Sequence, residues 1–190
     1  LMTTSYQDRR LVIEVATPLE EAAKIGREVA DRGLKIASVY GGGIPVNKSL
    51  EEGIAGLRKL IDNCAAAGAK SLLMGGMGNP KLFDAYYKAI AECCDYAAEK
   101  KLPITVKPHG GTNATGAQCR ECIEKVGHEN FSLWYDPGNI FFYSNGELDP
   151  VDDAAAAGDL VKVGMCIKDF IMRDKDGTPT RDVWLTPGTG

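Results

Sequence analysis

The 190-residue sequence contains no apolar run approaching the roughly 18 residues that cross a bilayer, so no membrane-spanning helix is expected. It also lacks a basic excess. Its 22 Lys and Arg stand against 26 Asp and Glu, a formal net charge of −4. Proteins that bind nucleic acid or membrane surfaces usually carry a positive stripe, and neither kind of partner is expected here. Histidine is scarce, at two residues, too few for a multinuclear zinc site. None of the glycine-rich stretches completes the dinucleotide fingerprint or the phosphate loop, so no nucleotide cofactor is expected. No low-complexity tract or linker divides the chain, which therefore reads as a single domain over 1–190.

With 44% hydrophobic and 25% charged residues, the composition is that of an ordinary globular protein. Six cysteines are present: Cys64, Cys93, Cys94, Cys119, Cys122 and Cys166. They fall in helix- and strand-like segments and no secretory h-region stands out, so reduced thiols and a cytoplasmic location are expected. Cys119 and Cys122 have metal-ligand spacing but lie inside a helical pattern with no second pair nearby, which fits core packing better than zinc.

Short β-branched runs alternate with longer helical ones. The runs are 11–15, 34–40, 71–74, 104–106, 131–135 and 161–167, and all read as strands. Between them, helices are predicted over 19–30, 49–67, 80–100, 115–126 and 150–157. The first is expected to open with Thr17 as cap and Pro18 at the first helical position, the second with Ser49 in capping-box spacing to Glu52. Such alternation implies parallel strands joined by right-handed crossovers, at about 30 residues per unit.

The strands are followed by polar, glycine-rich loops, whereas the loops before them are plain helix stops. In parallel α/β folds the site lies at the carboxyl ends of the strands. Lys107, Asp136, Lys168 and Asp169 close apolar strands, where a charge is costly unless it is used or paired. Tyr40 ends the second strand and is expected to touch substrate. His109 follows Lys107 in a loop suited to acid/base or metal chemistry. His128 precedes a strand, at the opposite end, and is assigned a structural role. Groups at several successive strand ends favour a barrel mouth over a single crevice in an open sheet.

The segments Val106–Gly111 (VKPHGG), Trp134–Ile140 (WYDPGNI), Cys166–Phe170 (CIKDF) and Thr186–Gly190 (TPGTG) resemble, in order and spacing, the sugar phosphate isomerase/epimerase superfamily, the xylose isomerase-like TIM barrels. The resemblance implies a TIM (β/α)8-type barrel and a divalent cation, Mn²⁺ or Mg²⁺ before Zn²⁺, that polarises a sugar carbonyl. It implies Asp136 as ligand or base and Asn139 as a polar substrate contact, with Lys168 beside it. His109 and Asp169 are candidate replacement ligands, because Lys107 and Cys166 stand where a Glu and a His are usual. Lys107 would then neutralise an anionic intermediate. The expected activity is isomerisation or epimerisation of a small sugar through an enediolate, and the family reading admits a homo-oligomer. Elimination on a 3-keto-glycoside, and non-catalytic sugar binding, are the alternatives.

An eight-unit barrel at this repeat needs about 240 residues. The sequence holds six units, so an incomplete barrel, truncated at both ends, is expected.

Overall fold

The structure, a computed structural model, describes residues 2–3 and 11–190. Six parallel strands form one sheet in sequence order: β1 (Met2–Thr3), β2 (Ser38–Tyr40), β3 (Leu72–Met74), β4 (Ile104–Val106), β5 (Phe131–Tyr135) and β6 (Val161–Met165). Among the described residues β6 does not pair back to β1, so the sheet is an open arc. Helices α1 (Leu19–Asp31), α2 (Leu50–Ala66), α3 (Phe83–Glu99) and α4 (Gly116–Val126) connect the strands. Two further helices, α5 (Pro137–Tyr143) and α6 (Pro150–Ala157), both lie between β5 and β6. This is the incomplete TIM-type barrel that the repeat length implies. No helix among the described residues is long and apolar enough to cross a membrane.

Helix boundaries follow local chemistry. The Ser49 hydroxyl accepts from the Glu52 amide at the start of α2, and Gly68 ends that segment in the left-handed region. Thr115 and Gln118 form a complete capping box on α4, each side chain bonded to the other residue's backbone. Leu57, Leu60 and Ile61 of α2 and Tyr86, Tyr87 and Ile90 of α3 bury their side chains fully, as do all residues of β3 and β4. Each large apolar side chain removed from water contributes about 1.5–3 kcal/mol, so this sandwich of sheet and helices is the main source of stability. Cys64, Cys93, Cys94, Cys119 and Cys122 are buried in it, with thiols that burial pushes upward in pKa.

Three expectations need correction. Residues 11–15 form turns, not a strand. Side chains brace the end of this segment: the buried Asn63 amide donates to the carbonyls of Glu14 (3.1 Å) and Thr17 (2.9 Å), and Thr17 Oγ1 accepts from the Glu14 amide. The place beside β2 is taken by Met2–Thr3. Thr17 therefore braces this turn, and Pro18 occupies the cap position of α1 without a side-chain bond. The third correction concerns the last segment. After β6 the chain forms an antiparallel hairpin, β7 (Ile171–Lys175) and β8 (Thr178–Asp182). Its turn residues Asp176 and Gly177 both have positive φ. The hairpin leans on α5 through Arg181, which donates to the Phe142 carbonyl and lies 4.5 Å from the Phe142 ring centroid.

Candidate active site

Asp136 is the fully buried centre of the strand-end cluster. It follows β5 directly and caps α5, with Pro137 at the first helical position. The cap uses one carboxylate oxygen: Oδ1 accepts from the Asn139 amide at 3.0 Å. The other, Oδ2, has no hydrogen-bond partner within the protein. Lys107 Nζ stands 3.5 Å from it and Lys168 Nζ 3.7 Å. The structure thus separates an oxygen that caps α5 from one that faces only the two ammonium groups.

Two neighbours hold this arrangement. Asn139 donates through Nδ2 to the Pro108 carbonyl at 2.6 Å and accepts from Lys168 through Oδ1. Both ends of its amide are engaged within the protein, so its geometry is that of a strut between β4, α5 and Lys168. Asn113, which the sequence reading missed, is fully buried and donates to the carbonyls of Gly75 (3.0 Å) and Lys107 (2.7 Å). It ties the loop after β3 to the loop after β4. Gly76 leaves room for it: at φ +83°, a Cβ there would lie 2.2 Å from Asn113 Nδ2.

His109 stands exposed at the rim, its ring centroid 6.2 Å from Tyr40 and 5.9 Å from Tyr143. Partial desolvation, then the charges of Lys107 and Lys168, lower its pKa, which favours the neutral imidazole, the form able to accept a proton. Gly110, at φ +83°, lets Tyr143 approach, since a Cβ there would meet the ring at 2.7 Å. Lys107, itself buried, lies 5.7 Å from the Tyr40 ring centroid. Burial lowers the pKa of Lys168, Asp136 opposes that shift, and Lys107 adds to it. Cys166 is also near, its thiol raised by burial and by the Asp136 charge.

The candidate metal ligands Asp136, His109 and Asp169 do not converge. Asp169 Oδ2 accepts from the amides of Gly188 (2.5 Å), Thr189 (3.0 Å) and Gly190 (3.0 Å). Those bonds lower its pKa and tie down the terminal Thr186–Gly190 turn. Among the described residues, no three His, Cys, Asp or Glu side chains come together as a cation would need. The free oxygen of Asp136 faces two ammonium groups, which repel a divalent ion and offer it no lone pair. Among the described residues, the donor set around Asp136 does not fit Mn²⁺, Mg²⁺ or Zn²⁺. His128 lies elsewhere, its Nε2 3.0 Å from Asp95 and its Nδ1 accepting from the Asn130 amide, a structural clasp between helix and strand.

The Asp169 clasp has a pH dependence of known sign. A carboxyl whose folded pKa is depressed stabilises above its unfolded value, and that contribution is lost as pH falls through the folded value. The amides of 188–190 are expected to be protected from hydrogen exchange at neutral pH. They should open in acid, and at every pH in Asp169→Asn. Equal protection in that variant would show that the turn does not depend on the carboxylate.

Parallel strands with helical crossovers, and a polar cluster at the carboxyl ends of β4–β6, define a TIM-type βα protein. The chain belongs to the xylose isomerase-like TIM barrel family, whose profile matches residues 4–190. It is similar to a xylose isomerase domain protein from Planctomyces limnophilus, with TM-score 0.70 and 16% identity, covering 91% of this chain and 68% of that one. A xylose isomerase-like TIM barrel protein from Mycobacterium smegmatis, in complex with magnesium, aligns with TM-score 0.67 and 16% identity over 95% of this chain and 77% of its own. The D-allulose 3-epimerase of Methylomonas sp., in complex with D-allulose, aligns with TM-score 0.62 and 20% identity over 82% and 60%. Among curated proteins none matches the chain. The chain thus spans between three fifths and about three quarters of these three structures, and likeness at this identity establishes the fold.

Proposed function

We propose that the cluster around Asp136 moves a proton beside the carbonyl of a small sugar or keto-sugar, as a sugar isomerase or epimerase does. The observation that carries this reading is Asp136 Oδ2: a buried, unbonded carboxylate oxygen between two lysines at the mouth of a parallel βα sheet. A carboxylate oxygen with no hydrogen-bond donor of its own within the protein is available to take a proton from carbon. His109, neutral and on the rim, is the second proton carrier, positioned by Tyr40 and Tyr143. As the C–H proton leaves, negative charge grows on the former carbonyl oxygen and an enediolate forms. Lys107, fixed through its backbone by Asn113, supplies a positive charge that needs no rearrangement to meet it. Tyr40 and Lys168 contact the sugar, and Asn139 holds Lys168 in place. No step is routed through a metal, because the donors present do not fit one. The epimerase neighbour with its bound ketose supports the substrate class.

The reading is tested by incubating the full chain in D₂O with a panel of ketoses and keto-sugars. Deuterium is expected at the carbon next to the carbonyl, followed by NMR. A panel with no incorporation above the uncatalysed rate overturns the proposal.

The pH profile provides a separate check. His109 must be neutral to accept a proton, and its pKa lies below the ordinary value of 6.5. The acid limb of kcat/KM is therefore expected below that value. Lys107→Met should move it upward, because a repelling charge has been removed. An acid limb unmoved by that substitution would assign it to another group.

A further inference from the structure

We propose that Lys168 is a nucleophile that captures aldehyde or ketone substrates covalently as an iminium. The inference rests on the proton-transfer reading and names how the same site holds its substrate. Three observations carry it. Lys168 and Lys107 converge on one oxygen of Asp136, at 3.7 and 3.5 Å, so two amines share a single counter-charge. A lysine beside a second cation in a desolvated pocket is the setting in which an amine attacks a carbonyl. Of the two, Lys168 reaches solvent more, with 26% of its side chain exposed against 10% for Lys107. Finally, its stem is seated: a Cβ on Gly138 would come within 2.7 Å of Lys168 Cγ, and Asn139 Oδ1 accepts from Nζ. The bare Gly138 lets the lysine lie across the start of α5 with its amine beside the acid.

The chemistry balances without an oxidant or reductant. The Lys168 ammonium first gives one proton to solvent; the neutral Nζ adds to the carbonyl carbon, a proton passes from nitrogen to oxygen to give a carbinolamine, and the proton held by solvent returns to that hydroxyl. Loss of that hydroxyl as water leaves the iminium. Asp136 then takes the proton from the adjacent carbon; the C–H electrons form a C=C bond while the C=N π electrons move onto nitrogen, giving an enamine, the nitrogen counterpart of the enediolate. Return of the proton to carbon and addition of water release product and free Lys168. In this scheme Lys107 keeps the local field positive while Asp136 gains and loses its proton.

The experiment treats the full chain with dihydroxyacetone and sodium cyanoborohydride, which reduces an iminium to a stable secondary amine, and maps the adduct by peptide mass spectrometry. Lys168 is expected to be labelled more than about tenfold faster than the exposed Lys59 and Lys88. Lys168→Arg and Lys168→Met should carry no such adduct, with the fold of each checked by circular dichroism. Labelling of Lys168 no faster than of Lys59 and Lys88, or a fast adduct on Lys107, overturns the proposal. Deuterium wash-in separates the two readings. If Lys168→Arg still exchanges protons on a ketose at the wild-type rate, the covalent route is wrong and the proton shift stands. An adduct on Lys168 without any exchange supports covalent capture and refutes the proton shift.

Discussion

Asp136→Asn is expected to lower deuterium wash-in by at least about a hundredfold, the low end of what a positioned general base contributes. Asparagine caps a helix nearly as well as aspartate, so α5 should survive. What is lost is the negative charge facing two ammonium groups. Removing one partner of a buried pair costs about 3–5 kcal/mol, and the low end applies here because Lys168 reaches solvent. The variant should therefore unfold at lower urea while keeping its far-ultraviolet circular dichroism. Lys107 is the residue responsible, since it is the buried one. Asp136→Asn combined with Lys107→Met should recover part of the stability and none of the activity. Wild-type exchange in the single variant would remove Asp136 from the chemistry.

Gly76→Ala should be as damaging from a distance. The new Cβ would be forced into Asn113 at 2.2–2.4 Å while the backbone holds φ at +83°. A non-glycine residue in a sparsely populated backbone region costs about 1–3 kcal/mol. Displacing Asn113 also leaves the Gly75 and Lys107 carbonyls without its two bonds, at about 1–3 kcal/mol for each buried group left unpaired. We expect a loss of about 3–4 kcal/mol, which lowers Tm by roughly 10 °C in a chain of this length. Proton exchange should fall with it, because Lys107 loses its anchor. Gly78→Ala in the same loop is the control. A Cβ there meets nothing within 4 Å and its φ is not positive, so it should change little. Equal effects of the two substitutions would show that the loop, and not Asn113, sets the stability.

Much of this arrangement was readable from residue order alone. Five of the predicted strands, β2 to β6, fall where short β-branched runs stand, and Lys107 and Asp136 sit directly after β4 and β5. The two lysines and the aspartate come together because parallel strands deliver their carboxyl ends to one rim. Residues 11–15 have the pattern of a strand, yet Asn63, nearly fifty residues later, bonds the carbonyls of Glu14 and Thr17 and holds a turn. No local signal carries that information. Helix α5 is not among the predicted elements although Asp136-Pro137 is a cap followed by proline, because its seven residues are too few to show a helical period. The hairpin was missed despite Asp176-Gly177, a strong turn dipeptide. Asn113 was hidden for a different reason: its importance lies in two carbonyls that only the fold brings within reach.

The metal expectation illustrates the same limit. Asp136, His109 and Asp169 lie at or near strand ends, but Asp169 spends its carboxylate on three terminal amides. Proximity of residue types along successive strands did not determine which way their oxygens face.

The most direct check of a proton-moving site built from one carboxylate and two lysines is its response to chelation. The full chain, stripped exhaustively with a chelator and supplied with a ketose that it exchanges, is expected to retain its rate of deuterium wash-in to within about twofold. Loss of exchange on chelation, with restoration by Mn²⁺ or Mg²⁺, would contradict the account.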